Sequence, residues 1–151
     1  MELIKRTRMD IKKIVGFTSG YFDIMHPGLV IMLKECKRYC DYLIVAVNEY
    51  KNKKPQPDGR YKNEPIWTPN ERLLMVSACR YTDEAFLYDG EKELYEYLKS
   101  HQDNINVRIV GADHKGSPFT GDDLNLKVIF NSRDHNYSTT NTIKTIIKKR
   151  I

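Results

Sequence analysis

Two short runs of this chain carry the residue types needed to hold an anion. The first is Gly20-Tyr21-Phe22-Asp23-Ile24-Met25-His26-Pro27-Gly28-Leu29. It follows an apolar, β-branched run from Lys13 to Thr18 and precedes Leu29, Met32, Leu33, Cys36 and Cys40, which recur at helical spacing. The segment therefore reads as a crossing from a buried strand into a helix. Pro27 is tolerated in a first helical turn, where no backbone donor is needed, and Gly20 and Gly28 let the main chain approach a ligand closely. His26 then stands beside a helix N-terminus, whose unpaired N–H groups and dipole favour negative charge, so a phosphate suits the position. The second run is Arg133-Asp134-His135-Asn136-Tyr137-Ser138-Thr139-Thr140. Hydroxyls and N–H groups at a helix start would grip further phosphates there, and Arg133 offers a planar fork of donors.

The elements that must position these runs follow from the pattern. Asp41 to Asn48 is a nearly continuous apolar run ending in a polar residue, as a strand covered on both faces reads. Strand, helix, strand in that order implies a right-handed crossover and a parallel pair, with ligands gathering at the carboxyl ends, where His26 and Asn48 would lie. Residues 49–68 break the rhythm with Pro55, Pro57, Gly59 and Pro65 among several basic residues. So long a loop reads as a candidate flap, with Lys51, Lys53 and Lys54 as substrate contacts and Trp67 packing its end against the body. Thr68-Pro69-Asn70-Glu71 is a capping box that starts a helix, with Leu73, Leu74, Val76, Ser77 and Ala78 on its buried side and Arg72 able to reach the site. Ala85 to Tyr88 forms a third strand, residues 91–100 a helix and Asn106 to Gly111 a fourth strand. The latter opens into Ala112-Asp113-His114-Lys115-Gly116, a turn where Gly111 and Asp113 would meet a nucleotide. Lys127 to Phe130 forms a fifth strand, and a last helix turns Ile143, Ile146 and Ile147 inward.

A chain of 151 residues is read as one domain with a five-stranded core. Residues 1–12 form a basic leader that packs a few apolar side chains, and 49–68 form the flexible loop. The net charge of +5 suits phosphorylated metabolites or nucleic acid. The three cysteines, Cys36, Cys40 and Cys79, lack framework spacing, which argues against disulfides and for a cytoplasmic setting. Cys36 and Cys40 fall on the apolar helix stripe, so core packing rather than zinc is expected of them. No apolar run approaches a membrane span or a signal core. A P-loop, a dinucleotide-binding glycine fingerprint and a nucleophile elbow are all missing from the sequence.

With these residues in view, the chain resembles the nucleotidyltransferase superfamily, whose signature is Gly-x-Phe-Asp-x-x-His-x-Gly-His, and within it the glycerol-3-phosphate cytidylyltransferase-like family. Gly20, Phe22, Asp23, His26 and Gly28 match, Arg80-Tyr81-Thr82-Asp83-Glu84 resembles a further family run, and Arg133 followed by Ser138-Thr139-Thr140 matches the C-terminal signature. The resemblance implies a Rossmann-like α/β domain with a five-stranded parallel sheet flanked by helices, and a homodimer. It also implies transfer of CMP from CTP, with Mg2+ as counter-ion, to a small phosphorylated acceptor, glycerol 3-phosphate by default. Pyrophosphate would leave, and the CDP-linked product would serve a surface polymer. His26 and Arg133 would be catalytic. Gly20, Tyr21, Phe22, Asp23, Gly28, Arg72, Gly111, Asp113, Tyr137, Ser138, Thr139 and Thr140 would bind the nucleotide, and no protein metal site is implied. An adenylyltransferase using ATP shares the pattern. A non-catalytic nucleotide binder or a small nucleic-acid binder is the rival from another class, motivated by the basic termini and by Leu29.

Leu29 stands where the signature has its second histidine. A leucine offers no donor, and one oriented donor in a preorganised site is worth about a hundred- to a thousand-fold in rate. His114 and His135 are the candidates to replace it. If the site lacks only that donor, Leu29→His is expected to raise the transfer rate; an unchanged rate in a pyrophosphate-release assay means that the site is built around leucine.

Overall fold

The computed structural model describes residues 12–51, 55, 59 and 63–150. The basic leader up to residue 11, together with Lys53 and Lys54, lies outside them. Five strands are ordered β3-β2-β1-β4-β5 in one sheet, and every pairing is parallel. They are β1 (Val15–Gly20), β2 (Tyr42–Asn48), β3 (Glu84–Tyr88), β4 (Val107–Val110) and β5 (Lys127–Phe130). Four helices, α1 (Pro27–Lys37), α2 (Pro69–Ala78), α3 (Gly90–His101) and α4 (Thr139–Arg150), complete a Rossmann-like α/β fold among the described residues.

Alternation along β2 builds both halves of the core, because successive side chains of a strand face opposite sides. Leu43, Val45 and Val47 join Leu33 and Cys36 of α1 and Val76 of α2, whereas Ile44 and Ala46 join Phe17, Tyr88, and Leu94 and Leu98 of α3. Asp83, from the run that resembles a family motif, accepts a hydrogen bond from the Leu43 amide at 2.7 Å and pairs with Lys37. It thus fastens the start of β2 to the end of α1. Cys36 is fully buried, and burial pushes its thiol up to about 12, which suits packing rather than reactivity.

The capping box at Thr68 forms as expected: the Thr68 amide donates to Glu71 at 2.8 Å, and Thr68 Oγ1 accepts from the Glu71 amide at 3.4 Å. The face of α2 differs from expectation. Val76 is buried, but Leu74 is 69% exposed, and Ser77 and Ala78 also face water. Arg72 takes the core position instead, at 1% exposure. The outward turn of Leu74 follows from where that guanidinium must go. Trp67, expected to pack inward, is 42% exposed, and among the described residues none of α4 is buried, with Ile146 and Ile147 about half exposed.

Arg72 holds the frame together. Its Nε donates to the Trp67 carbonyl at 3.1 Å, Nη1 to those of Tyr21 and Asn48 at 2.7 and 2.6 Å, and Nη2 to that of Glu49 at 3.1 Å. One cation thus ties together the ends of β1, β2 and the long loop, where main-chain oxygens would otherwise be unpaired. A buried acceptor stripped of its donor costs about 1–3 kcal/mol. Arg72→Ala is therefore expected to lower unfolding stability by about 3 kcal/mol or more, read as a shift in urea midpoint. Arg72→Lys should recover little, because an ammonium lacks the fork.

Candidate active site

The turn after β1 is built around Phe22, which has a left-handed φ of 52° and is 4% exposed. Such a conformation is unfavourable for a non-glycine residue and is maintained here by burial of the ring. A Cβ on Gly20 would stand 3.2 Å from that ring, so this glycine makes room for Phe22. Asp23 follows, and its Oδ1 accepts from the amides of Ile66 and Trp67 at 2.7 and 3.1 Å. It clasps the end of the long loop and is engaged with protein.

His26 is the N-cap residue of α1. Its Nδ1 accepts from the Gly28 amide at 3.1 Å, which leaves the hydrogen of the neutral ring on Nε2. Nε2 lies 3.3 Å from Thr139 Oγ1 in the first turn of α4. The side chain is 8% exposed, and its pKa is pushed below the ordinary imidazole value by burial first and by the nearby His135 second. Ser138 caps α4: its Oγ accepts from the Asn141 amide at 3.0 Å, and its carbonyl accepts from the Thr142 amide at 2.9 Å. Two helix N-termini therefore meet across one imidazole. That is the convergence the two sequence runs imply.

A cleft of about 330 Å³ opens at this meeting point. His26, Gly28, Arg133, Ser138, Thr139 and Thr140 line it, as do Gly111, Asp113 and Tyr137. The loop carrying Arg133 is anchored to α1, because Glu35 accepts from the Ser132 amide at 2.7 Å and from its hydroxyl at 3.0 Å. Asn131 secures the other side by accepting from the Ala112 amide at 3.0 Å. Leu29 lines the cleft while packing on the core.

Arg72, Asp23 and Phe22 do not line this cleft. Lys51, read from sequence as a substrate contact, is exposed and paired with Glu49. Gly20 and Tyr21 line a second, larger cleft of about 970 Å³ that meets the first at Gly111. Its polar groups include Tyr88, Glu91, Lys92, Arg108, His114 and Thr120. Arg108 of β4 is the residue that sequence reasoning missed. It is 4% exposed, its guanidinium lies 5.2 Å from the centre of the Phe119 ring, and it donates to the Thr120 carbonyl. Burial pushes its pKa down, partly offset by Glu91 and Tyr88. The available signal was a charged residue inside the apolar run Val107-Arg108-Ile109-Val110, since a buried charge is costly unless it is partnered.

A family model described as cytidylyltransferase-like matches residues 17–145. The chain belongs to the cytidylyltransferase-like family. That makes it a nucleotidyltransferase-type enzyme, as the signature residues imply. Among curated proteins it is similar to the bifunctional protein HldE of Campylobacter jejuni serotype O:6, 33% identical over 153 residues that cover 99% of this chain and 31% of that protein. The HldE protein of Aliarcobacter butzleri is 33% identical over 138 residues, or 89% of this chain and 27% of that one. The chain thus spans less than a third of the length of these relatives. Among solved structures, the lipopolysaccharide core biosynthesis protein of Thermoplasma volcanium is 25% identical with a TM-score of 0.62, over 80% of this chain and 97% of that one.

Gly28 is the position where the site tolerates no side chain. A Cβ there would stand 2.7 Å from His135 Cε1, 2.8 Å from Tyr137 Cβ and 2.9 Å from His26 Cε1. Alanine is the better helix former, so Gly28→Ala should leave the fold intact while forcing these groups apart. Affinity for a nucleoside triphosphate is expected to fall about tenfold or more, equivalent to about 1.4 kcal/mol, in a calorimetric titration.

Proposed function

We propose that the smaller cleft holds a nucleoside triphosphate, CTP by family likeness, and that the larger cleft holds a polyhydroxylated phosphate monoester. A phosphate oxygen of the acceptor attacks the α-phosphorus in line, the bond from that phosphorus to the bridging oxygen breaks, and pyrophosphate leaves. The observation that carries this reading is the junction of the α1 and α4 N-termini at His26. Such chemistry calls for positioning and charge stabilisation rather than a covalent nucleophile. The Nε2–H of His26 would donate to a non-bridging oxygen as charge builds on it, in place of its bond to Thr139. Arg133 and the first turn of α4 would hold the departing pyrophosphate.

Mg2+ is expected to arrive with the triphosphate. It binds mainly through phosphates and water, and among the described residues no group of three or more side chains forms a metal cage. Asp113 is a carboxylate in the cleft lining that would suit the outer side of such an ion.

The acceptor is read from the larger cleft. It is the roomier of the two clefts, and its mixture of Tyr88, Glu91, Arg108, His114 and Thr120 supplies donors and acceptors for several hydroxyls and a phosphate. A sugar phosphate suits it better, in line with the lipopolysaccharide core role named for the Thermoplasma volcanium neighbour. The product would be a nucleotide-linked precursor for a surface polysaccharide. Pyrophosphate release should be measured for CTP and ATP, each with Mg2+, against glycerol 3-phosphate and a panel of sugar phosphates. Release is expected with CTP and a sugar phosphate. ATP winning would reassign the base, and no release with any pair would overturn the reading.

A further inference from the structure

The signature position held by Leu29 offers no hydrogen-bond donor, yet a second imidazole faces the phosphate cleft from another element. His135 lies in the loop between β5 and α4 and lines the same cleft as His26, Leu29 and Thr139. Because a Cβ on Gly28 would be 2.7 Å from its Cε1 and 2.9 Å from that of His26, the two rings flank one point above the α1 N-terminus. The gap between them is no wider than those two distances together. The ring of His135 is backed by Tyr137, with centroids 5.8 Å apart. The loop itself is fixed to α1 through Ser132 and Glu35.

His135 Nδ1 is buried and has no hydrogen-bond partner among the described residues. An unpaired buried nitrogen is unfavourable, and the ring that carries it lines a cleft with Arg133 and a helix N-terminus, surroundings that favour an anionic oxygen. We infer that His135 supplies, from the loop before α4, the second phosphate-contacting imidazole that position 29 no longer provides. This rests on the proposed function for its catalytic meaning but on geometry alone for the contact. The phosphate would then be held between a ring capping α1 and a ring carried by the loop that leads into α4.

The test uses the full chain labelled with 15N at histidine and titrated with inorganic pyrophosphate. Resonances of both His26 and His135 are expected to move together, and His135→Gln should weaken pyrophosphate binding about tenfold or more. In the transfer assay, His135→Gln should lower the rate about a hundredfold. Adding Leu29→His to that variant should recover at least a tenth of the parental rate. Movement of the His26 signal with His135 unmoved overturns the inference, and so does parental affinity in His135→Gln. Pyrophosphate binding through both rings, in a chain that transfers no nucleotide, would sink the proposed function and leave the contact standing. No pyrophosphate binding at all would sink both.

Discussion

The site depends on an imidazole bonded in two directions. One nitrogen of His26 is committed as an acceptor to the backbone at the start of α1, and that commitment makes the other nitrogen a donor aimed at α4. A mobile histidine would have to choose a tautomer and an orientation when substrate arrived. Here the helix cap has chosen both in advance. The surrounding structure preserves this arrangement. Gly28 gives the rings space, Glu35 holds the far loop to the same helix, and Ser138 uses its own hydroxyl to cap α4, leaving Thr139 to face the ring.

The parallel sheet explains why the two clefts are neighbours. With β1 at its centre and β4 beside it, the chain reverses direction of build at that pair, and the crevice outside their carboxyl ends is where ligands fit in open sheets. Gly111 at the end of β4 belongs to both clefts. The two clefts therefore share a wall at the carboxyl end of β4.

Much of this was legible in the sequence because it is written in local chemistry. The strands declared themselves by apolar runs, α2 by its capping box, and the starts of α1 and α4 by proline, glycine and hydroxyl residues. Roles that depend on distant partners were not legible. Arg72 and Asp23 looked like ligand-binding groups because a guanidinium and a carboxylate near a nucleotide motif usually invite that reading. Their partners are backbone groups brought close only by folding. Arg108 was hidden for the complementary reason, since a strand pattern gives no hint of a cavity beside it. The isoleucines of α4 followed helical spacing, but no described residue of that helix is buried, and Ile146 and Ile147 stay about half exposed.

The clasp formed by Asp23 has an optical consequence. Trp67 is the only tryptophan in the chain; its amide is held by Asp23 and its carbonyl by Arg72, while its side chain is 42% exposed. An indole whose backbone is strapped to the turn after β1 but whose ring remains half in solvent is a native fluorophore beside that turn. Its emission reports the solvent surroundings of that turn with no label attached and no second indole to obscure it.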